Sequence, residues 1–544
     1  MNDAAPSTDR STFYVTTPIY YVNDAPHIGH CYSTIVADCA ARYMRLAGRD
    51  AFFLTGTDEH AEKVVINAAK HGVTPREWAD RNAEAFRQAF RFVTTSHDDF
   101  IRTSESRHVE RVEGYIKRLL DSGDVALGTY EGWFDPSQEE YVTETTAREH
   151  SYNSPITGQP LVKRSENNYF FKLSKYETRL LEHIERHSEF IQPDARRNEV
   201  VSRIRQGLQD VPVSRAAGDP TDAAHEWGIT MPGDPSHRVY VWIDALFNYL
   251  TTVDTDHRRR YWPASTHVIA KDILWFHAVI WPCLLMALDE PLPRTVYAHS
   301  FWIREGRKMS KSLGNFIDLP TMKAYADRFG VDAMRYYLLT HGPLGVTDGD
   351  FAYSHFVEVY NAHLANGIGN AHSRVTNMIA KYFDGRVPEP PAELGGADAR
   401  LGPTWRTLVE DHSRAAVAHA DRLAVDKAIE SAMAISNAVD GFINETTPFK
   451  LAKDHANMPK VAAILYQCAE ALRVACTLLS PAMPNTMAEA IERLGFTVDA
   501  TDSFEELVQW GRLTPGKHVT KGAALCPRAD APEPEPAAAA TTIE

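Results

Sequence analysis

The chain has 544 residues, with 57 Lys and Arg against 72 Asp and Glu for a net charge of −15. That length allows about three or four domains with a real core, and the acidic balance excludes a protein that coats nucleic acid by bulk positive charge, leaving room only for a local basic track. No apolar run approaches the roughly 18 residues of a membrane span, and the start, MNDAAPSTDRS, has neither a basic cluster nor an apolar stretch, so the chain reads as cytoplasmic with no signal peptide.

Residues 12–17 (TFYVTT) are β-branched and aromatic and predict a buried strand. Cys31, Ile35, Cys39, Tyr43 and Leu46 then recur at helical spacing, Gly48 closes that helix, and residues 51–54 begin a second strand. Between strand and helix lies Pro26-His27-Ile28-Gly29-His30. His27 and His30 therefore fall at a helix N-terminus, where unpaired N–H groups and the helix dipole favour phosphate. Gly29 permits close backbone approach, and the imidazoles can donate to phosphate oxygens as charge develops. Strand and helix alternate from 12 to about 120, as a doubly wound parallel sheet requires.

Residues 125–235 are polar and turn-rich with their own aromatic cluster, and read as an insertion. The sheet is expected to resume at 239–245 and again at 266–270, and residues 295–303 (TVYAHSFWI) predict one further strand. A Glu305-Gly306 turn then leads into Lys308-Met309-Ser310-Lys311-Ser312, whose lysines are point charges able to swing onto a polyphosphate. Beyond about 320 the chain is helical: Val425, Ile429, Met433, Val439 and Ile443 form one apolar stripe, and Ile464, Cys468, Leu472, Cys476 and Leu479 a second, ended by Pro481 and Pro484. The Pro/Ala/Glu-rich end, 528–544, reads as disordered.

The two short motifs resemble the HIGH and KMSKS signatures of class I aminoacyl-tRNA synthetases, and the residues around them resemble the methionyl-tRNA synthetases of bacterial type. The resemblance runs through residues 16–30 (TTPIYYVNDAPHIGH), 54–60 (LTGTDEH), 240–250 (YVWIDALFNYL), 271–282 (KDILWFHAVIWP), 306–315 (GRKMSKSLGN), 329–339 (FGVDAMRYYLL) and 360–370 (YNAHLANGIGN), leaving only the ends. It implies an α/β fold: a doubly wound parallel, Rossmann-like catalytic domain in two halves (12–124 and 236–320) around a connective insertion (125–235). A stem segment (321–369) and a helical anticodon-binding bundle (370–527) follow, with disordered ends at 1–11 and 528–544.

The activity implied is a methionine–tRNA ligase that uses ATP with Mg²⁺ to make methionyl-adenylate, then passes the acyl group to the terminal 2′-hydroxyl of tRNA(Met). By resemblance, His27, His30, Lys308 and Lys311 are catalytic, and His27, Gly29, His30, Asp244, Asp272, Lys308, Lys311 and Ser312 hold ATP. Ile19, Tyr21, Asp58, Trp242, Ala245, Leu246, Tyr249, Ile273 and His277 surround L-methionine. Asp58 suits an α-ammonium group, with a helix cap as its plainer role; the aromatic rings suit a thioether, to which tyrosine or histidine can donate weakly. Asn370, Arg374 and Phe449 match anticodon-reading positions, Phe449 standing where the family usually has tryptophan. Ala61 and Ala270 stand where glycine is common, and their methyl groups are expected to narrow the site.

Other class I enzymes fit less well. Lys308 follows His30 by 278 positions, which leaves no room for the long editing insertion of the isoleucyl, leucyl and valyl enzymes. A small metabolite adenylyltransferase would lack the helical half. The six cysteines, at 31, 39, 283, 468, 476 and 526, include no CxxC pair, and none lies in the insertion, so no structural zinc is expected. His183 and His187, one helical turn apart, are the best residual ligand pair, and a solvated helix face explains them more simply. The chain ends without the C-terminal β-barrel that drives dimerisation in some relatives, so a monomer is expected. The candidate tRNA track comprises Arg196-Arg197, Arg203-Arg205, residues 257–260, Lys308-Lys311 and Arg374.

Overall fold

The computed structural model describes residues 12–23, 25–135, 140–142, 144–155, 157–217, 226–304, 306–309, 315–391, 403–499 and 502–530. The segments expected to be disordered at 1–11 and 531–544 lie outside the described residues, as do Lys311 and Ser312.

The first half follows the periodicity of its sequence. Strand β1 (Thr12–Tyr21) leads into the helix Ile28–Leu46, β2 (Asp50–Asp58), the helices Glu62–Lys70 and Pro75–Phe92, β3 (Asp99–Arg102) and the helix Ser106–Asp121. Gly48, at φ +74°, turns the chain out of the first helix, a conformation glycine adopts without a Cβ clash. The insertion contributes β4 (Val125–Asp135), β5 (Glu140–Val142), β6 (Val162–Phe171), β7 (Ile191–Gln192), β8 (Val211–Pro212), β9 (Ser214–Ala216), β10 (Thr230–Met231) and β11 (Asp234–Val239). Then come β12 (Thr266–Ala270), β13 (Thr295–His299), β14 (Trp302–Arg304), β15 (Arg307–Lys308) and β16 (Gly349–Asp350).

The central sheet has six strands in the order β3-β2-β1-β12-β13-β7, every pair parallel. Its two faces carry separate cores, because side chains alternate along each strand: Phe13 and Val15 of β1 join the core shared with the helical half, and Tyr14 joins the core under the insertion. Most of the insertion forms a four-stranded sheet, β5-β4-β6-β8, and a three-stranded one, β10-β11-β9. It is not a detached module, since β7 leaves it to become an edge of the parallel sheet, with Ile191 paired to Val296.

Two expected strands form differently. Residues 239–245 do not resume the sheet: Val239 ends antiparallel β11, and Val241–Leu246 is a helix that buries Ile243 and Leu246. A short apolar run has the same composition as a buried strand or a buried helix, so the sequence does not separate them. The run 295–303 splits into β13 in the central sheet and β14 in a small sheet β15-β14-β16, because the backbone between them is captured elsewhere. Ser300 N donates to Pro343 O at 2.9 Å and Phe301 N to Asp348 Oδ1 at 2.9 Å.

The helical half includes Gly369–Tyr382, Pro403–Ala420, Val425–Thr446, Met458–Leu479 and Pro484–Arg493, with both predicted stripes buried. By length and composition the helical stretch His455–Leu479 could cross a membrane, but its apolar window is wholly buried inside the protein. Its charges Glu470 and Arg473 pair at 2.7 Å, both fully buried, so this is the core helix of the bundle. A second buried pair, Arg335 with Asp38 at 2.7 Å, joins the halves: Arg335 also donates to Val93 O on the sheet side and to Pro481 O and Ala482 O on the bundle side. The start of the expected tail is held rather than loose, with Asn361 Nδ2 donating to Ala529 O at 2.8 Å and Asn361 Oδ1 accepting from Ala529 N at 3.1 Å.

Candidate active site

The strand order reverses between β1 and β12, and a cavity of about 410 Å³ opens at the carboxyl ends of the strands there. Strand ends supply its floor: Pro18 to Tyr21 from β1, Asp58 from β2, Ala270 from β12 and His299 from β13. All nine residues assigned to methionine line this one cavity, from Ile19, Tyr21 and Asp58 through Trp242, Ala245, Leu246 and Tyr249 to Ile273 and His277.

The end expected to take the amino acid is aromatic and internally bonded. Trp242 stacks on Phe276 at 4.3 Å between ring centroids and meets Tyr21 edge-on at 5.5 Å. His277 Nδ1 lies 2.9 Å from Ile273 O, which can only accept, so Nδ1 carries the hydrogen and Nε2 accepts from the Tyr249 hydroxyl at 2.7 Å. Both donors are thus consumed within the wall. The expected weak donation to a thioether is not available from Tyr249 or His277 in this arrangement, and these two residues offer shape and polarizable contact instead. Burial lowers the His277 pKa to about 4, outweighing the opposing effect of the Ile273 carbonyl, so the imidazole is neutral at physiological pH. Asp58, almost fully buried at the end of β2, is the acidic group on this side of the cavity; the cap of the next helix is Ala61 rather than Asp58.

At the other end, expected to take phosphate, His27 is the N-cap of Ile28–Leu46, its Nδ1 accepting from Gly29 N at 3.0 Å, while His27 N donates to His30 Nδ1 at 3.3 Å. Each Nδ1 acts as an acceptor, which leaves the hydrogen of each neutral ring on Nε2, the form that donates to a phosphate oxygen. Burial, and then the neighbouring His27, lower the His30 pKa well below the ordinary histidine value. Gly29 has a steric reason: a Cβ there would sit 2.9 Å from His27 Cε1.

Lys308 is exposed on β15, antiparallel to β14, beyond a turn at Gly306, where φ is +70°. The far end of that loop returns to the histidines, since Ile317 O accepts from Ile28 N at 3.1 Å and Phe316 packs edge-on against His27 at 4.8 Å. His27, Gly29, His30 and Asp272 line the cavity.

Asp244 does not line it. Its carboxylate is fully buried and bonded to His60 and His108, so direct contact with a nucleotide is replaced by an internal role. The two alanines differ as well. Ala270 lines the cavity and can narrow it, whereas Ala61 sits outside it in extended backbone (φ −66°, ψ 141°). The sequence reading missed His299, Ser300, Phe301 and Trp302, which also line the cavity. Their position at the carboxyl end of a parallel strand was the available signal. His299 Nε2 is 2.7 Å from the Ser33 hydroxyl, linking β13 to the phosphate-end helix.

In the bundle, Asn370 is exposed, Arg374 is half-buried and bonded to Asp440 and to Asn444 (2.7 Å), and Phe449 is 42% exposed. Much of the candidate basic track is already paired: Arg258 with Asp99, Arg259 with Glu290, Arg260 with Asp50, Arg205 with Glu185 and Arg196 with Glu199. Arg203 lies over the Trp275 ring at 3.9 Å. The rings of His183 and His187 are 4.5 Å apart, and burial, then His187, lower the His183 pKa to about 4.

A cavity at the switch point of a parallel sheet, with a histidine-capped helix on one side and a lysine hairpin beside it, defines a class I tRNA synthetase. The family model described as "tRNA synthetases class I (M)" matches residues 13–151 and 146–376, and the chain belongs to that family. Relatives named methionine–tRNA ligase include those of Bacillus subtilis (39% identical, covering 96% of this chain and 79% of the relative) and Streptomyces coelicolor (40%, covering 96% and 98%). Among solved structures, Mycobacterium tuberculosis methionyl-tRNA synthetase in complex with methionyl-adenylate is similar at TM-score 0.86 and 36% identity, covering 95% of this chain and 100% of that one. Its apo form gives 0.81 and 34%.

Proposed function

We propose that this chain is a methionine–tRNA ligase that forms methionyl-adenylate in the cavity at the β1/β12 switch point and charges tRNA(Met). The observation that carries the reading is that all nine residues assigned to methionine line the same cavity as His27, Gly29 and His30. A methionine side chain against Trp242 and Tyr249, with its ammonium toward Asp58, turns its carboxylate to the phosphate end. That carboxylate attacks the α-phosphorus of ATP, the bond to the β-phosphate breaks, and pyrophosphate leaves. The 2′-hydroxyl of tRNA then attacks the acyl carbon and AMP departs.

No protein nucleophile is needed, because positioning and charge stabilisation account for this kind of transfer. The Nε2–H groups of His27 and His30, together with Lys308, Lys311 and Ser312, serve the triphosphate, and Asp272 serves the nucleotide. Mg²⁺ arriving with ATP neutralises phosphate charge.

Asn370, Arg374 and Phe449 read the anticodon in this account, supported by the exposure of Asn370 and Phe449. A monomeric, cytoplasmic enzyme is part of this reading, and the burial of His455–Leu479, the helical stretch apolar enough to cross a membrane, inside the protein supports the absence of a membrane anchor there. The reading without structural zinc rests on the cysteines: all six are buried and none belongs to the insertion.

Pyrophosphate exchange measured with each of the twenty amino acids tests the function. Methionine alone should sustain rapid exchange; faster exchange with any other amino acid would sink the reading.

A further inference from the structure

Asp244 lies outside the cavity yet ties two of its walls together. It sits in the helix Val241–Leu246, whose Trp242, Ala245 and Leu246 face the cavity. Its Oδ2 accepts from His60 Nδ1 at 2.7 Å and its Oδ1 from His108 Nε2 at 2.6 Å. His60 follows Asp58 by two residues. His108 comes from the helix Ser106–Asp121, and its Nδ1 is 2.9 Å from the Thr251 hydroxyl.

Burial works against ionisation of Asp244, but His60 and then His108 outweigh it and hold the carboxyl below its ordinary range. An ionised carboxylate only accepts, so both imidazole nitrogens facing it carry hydrogens, and the tautomers and ring orientations are fixed. The turn 58–60 is held from its other side too: Trp227 Nε1 donates to Glu59 O at 2.7 Å and its ring meets His60 edge-on at 5.6 Å.

We propose that Asp244 is a positioning residue for recognition of the amino-acid ammonium group, setting the Asp58 carboxylate against the Trp242 wall through His60. This rests on the reading of the cavity as an amino-acid-activating site. The polar link between these walls is the His60–Asp244 hydrogen bond, and His108 from the helix Ser106–Asp121 braces the same buried carboxylate, so both of its oxygens are satisfied and the geometry is fixed. The aromatic wall and the acidic strand end are otherwise on different elements. A small shift between them would weaken amino-acid binding without touching the phosphate end.

Asp244→Asn keeps the shape and one acceptor but turns an NH₂ group toward the second imidazole. Pyrophosphate exchange should show the KM for methionine rising about tenfold, with kcat and the KM for ATP within about twofold of wild type. His60→Gln should give the same selective rise, and the double variant should be no worse than the weaker single variant. An unchanged methionine KM in either folded single variant, additive effects in the double variant, or an equal rise in the KM for ATP overturns the proposal, the last by making Asp244 a nucleotide ligand. Should Asp244→Asn not fold, His60→Gln alone decides. If the wild-type enzyme exchanges with a different amino acid, the substrate reading fails, and the same split is then read on that amino acid's KM.

Discussion

The two ends of the cavity are built in opposite ways. At the amino-acid end, Tyr249, His277 and Ile273 satisfy one another in a closed chain, and the Trp242–Phe276 stack is packed among buried residues. At the phosphate end, a helix N-terminus offers imidazoles held by the backbone, and the facing cation, Lys308, stands exposed on a two-residue strand. A closed, neutral wall selects by shape and stays put. An open end with exposed charge can reach a leaving pyrophosphate. On the proposed function, this difference puts binding mainly at one end and rate acceleration mainly at the other.

A large effect that would break this division is at Gly29. In Gly29→Ala, a methyl 2.9 Å from His27 Cε1 must push the capping ring aside. Adenylate formation in a single turnover should slow on the order of a hundredfold, the scale expected for a misplaced reacting group, while the methionine Kd stays near wild type. A comparable loss of methionine affinity would show that the ends are not separable.

A smaller effect is expected far from the cavity. Arg374→Ala removes a half-buried arginine that is bonded to Asp440 and Asn444 on the neighbouring helix. Its tRNA KM should rise about tenfold, within the range for loss of one base contact, with pyrophosphate exchange unchanged. Normal aminoacylation at low tRNA concentration would remove Arg374 from anticodon reading.

The smallest effect is a flat pH profile. The folded His277 pKa of about 4 lies below the ordinary value near 6.5, so the unfolded chain binds this proton first. The contribution of His277 to stability is therefore full above about pH 6.5 and falls as pH drops toward 4. Methionine affinity should show no titration of this group between pH 6.5 and 8, and should weaken near pH 4, when protonated Nε2 can no longer accept from Tyr249. A methionine Kd that titrates near pH 6.5 with the histidine's chemical shift would contradict the closed wall.

Much of this was legible in the sequence because the chemistry sits on short contiguous segments. Residues 26–30 carry cap, glycine and both imidazoles within one turn, and the β-branched and aromatic run of β1 announces a buried strand. What was not legible depends on distant partners. Asp244 reads as a nucleotide ligand until His60 and His108 are seen to occupy both of its oxygens. The helix at Val241–Leu246 and the break between β13 and β14 follow from tertiary hydrogen bonds and packing that local propensity does not encode. The basic run 257–260 looked available for RNA, but its three arginines are neutralised by Asp99, Glu290 and Asp50.

The most direct test of the division between binding and chemistry is Lys311→Ala, with the methionine Kd from equilibrium titration set against the single-turnover rate of methionyl-adenylate formation. The account predicts a Kd within about twofold of wild type and a rate lower by about 10²–10³, the loss typical when one charge-stabilising donor is removed. A normal rate, or a rate and an affinity that fall together, would contradict it.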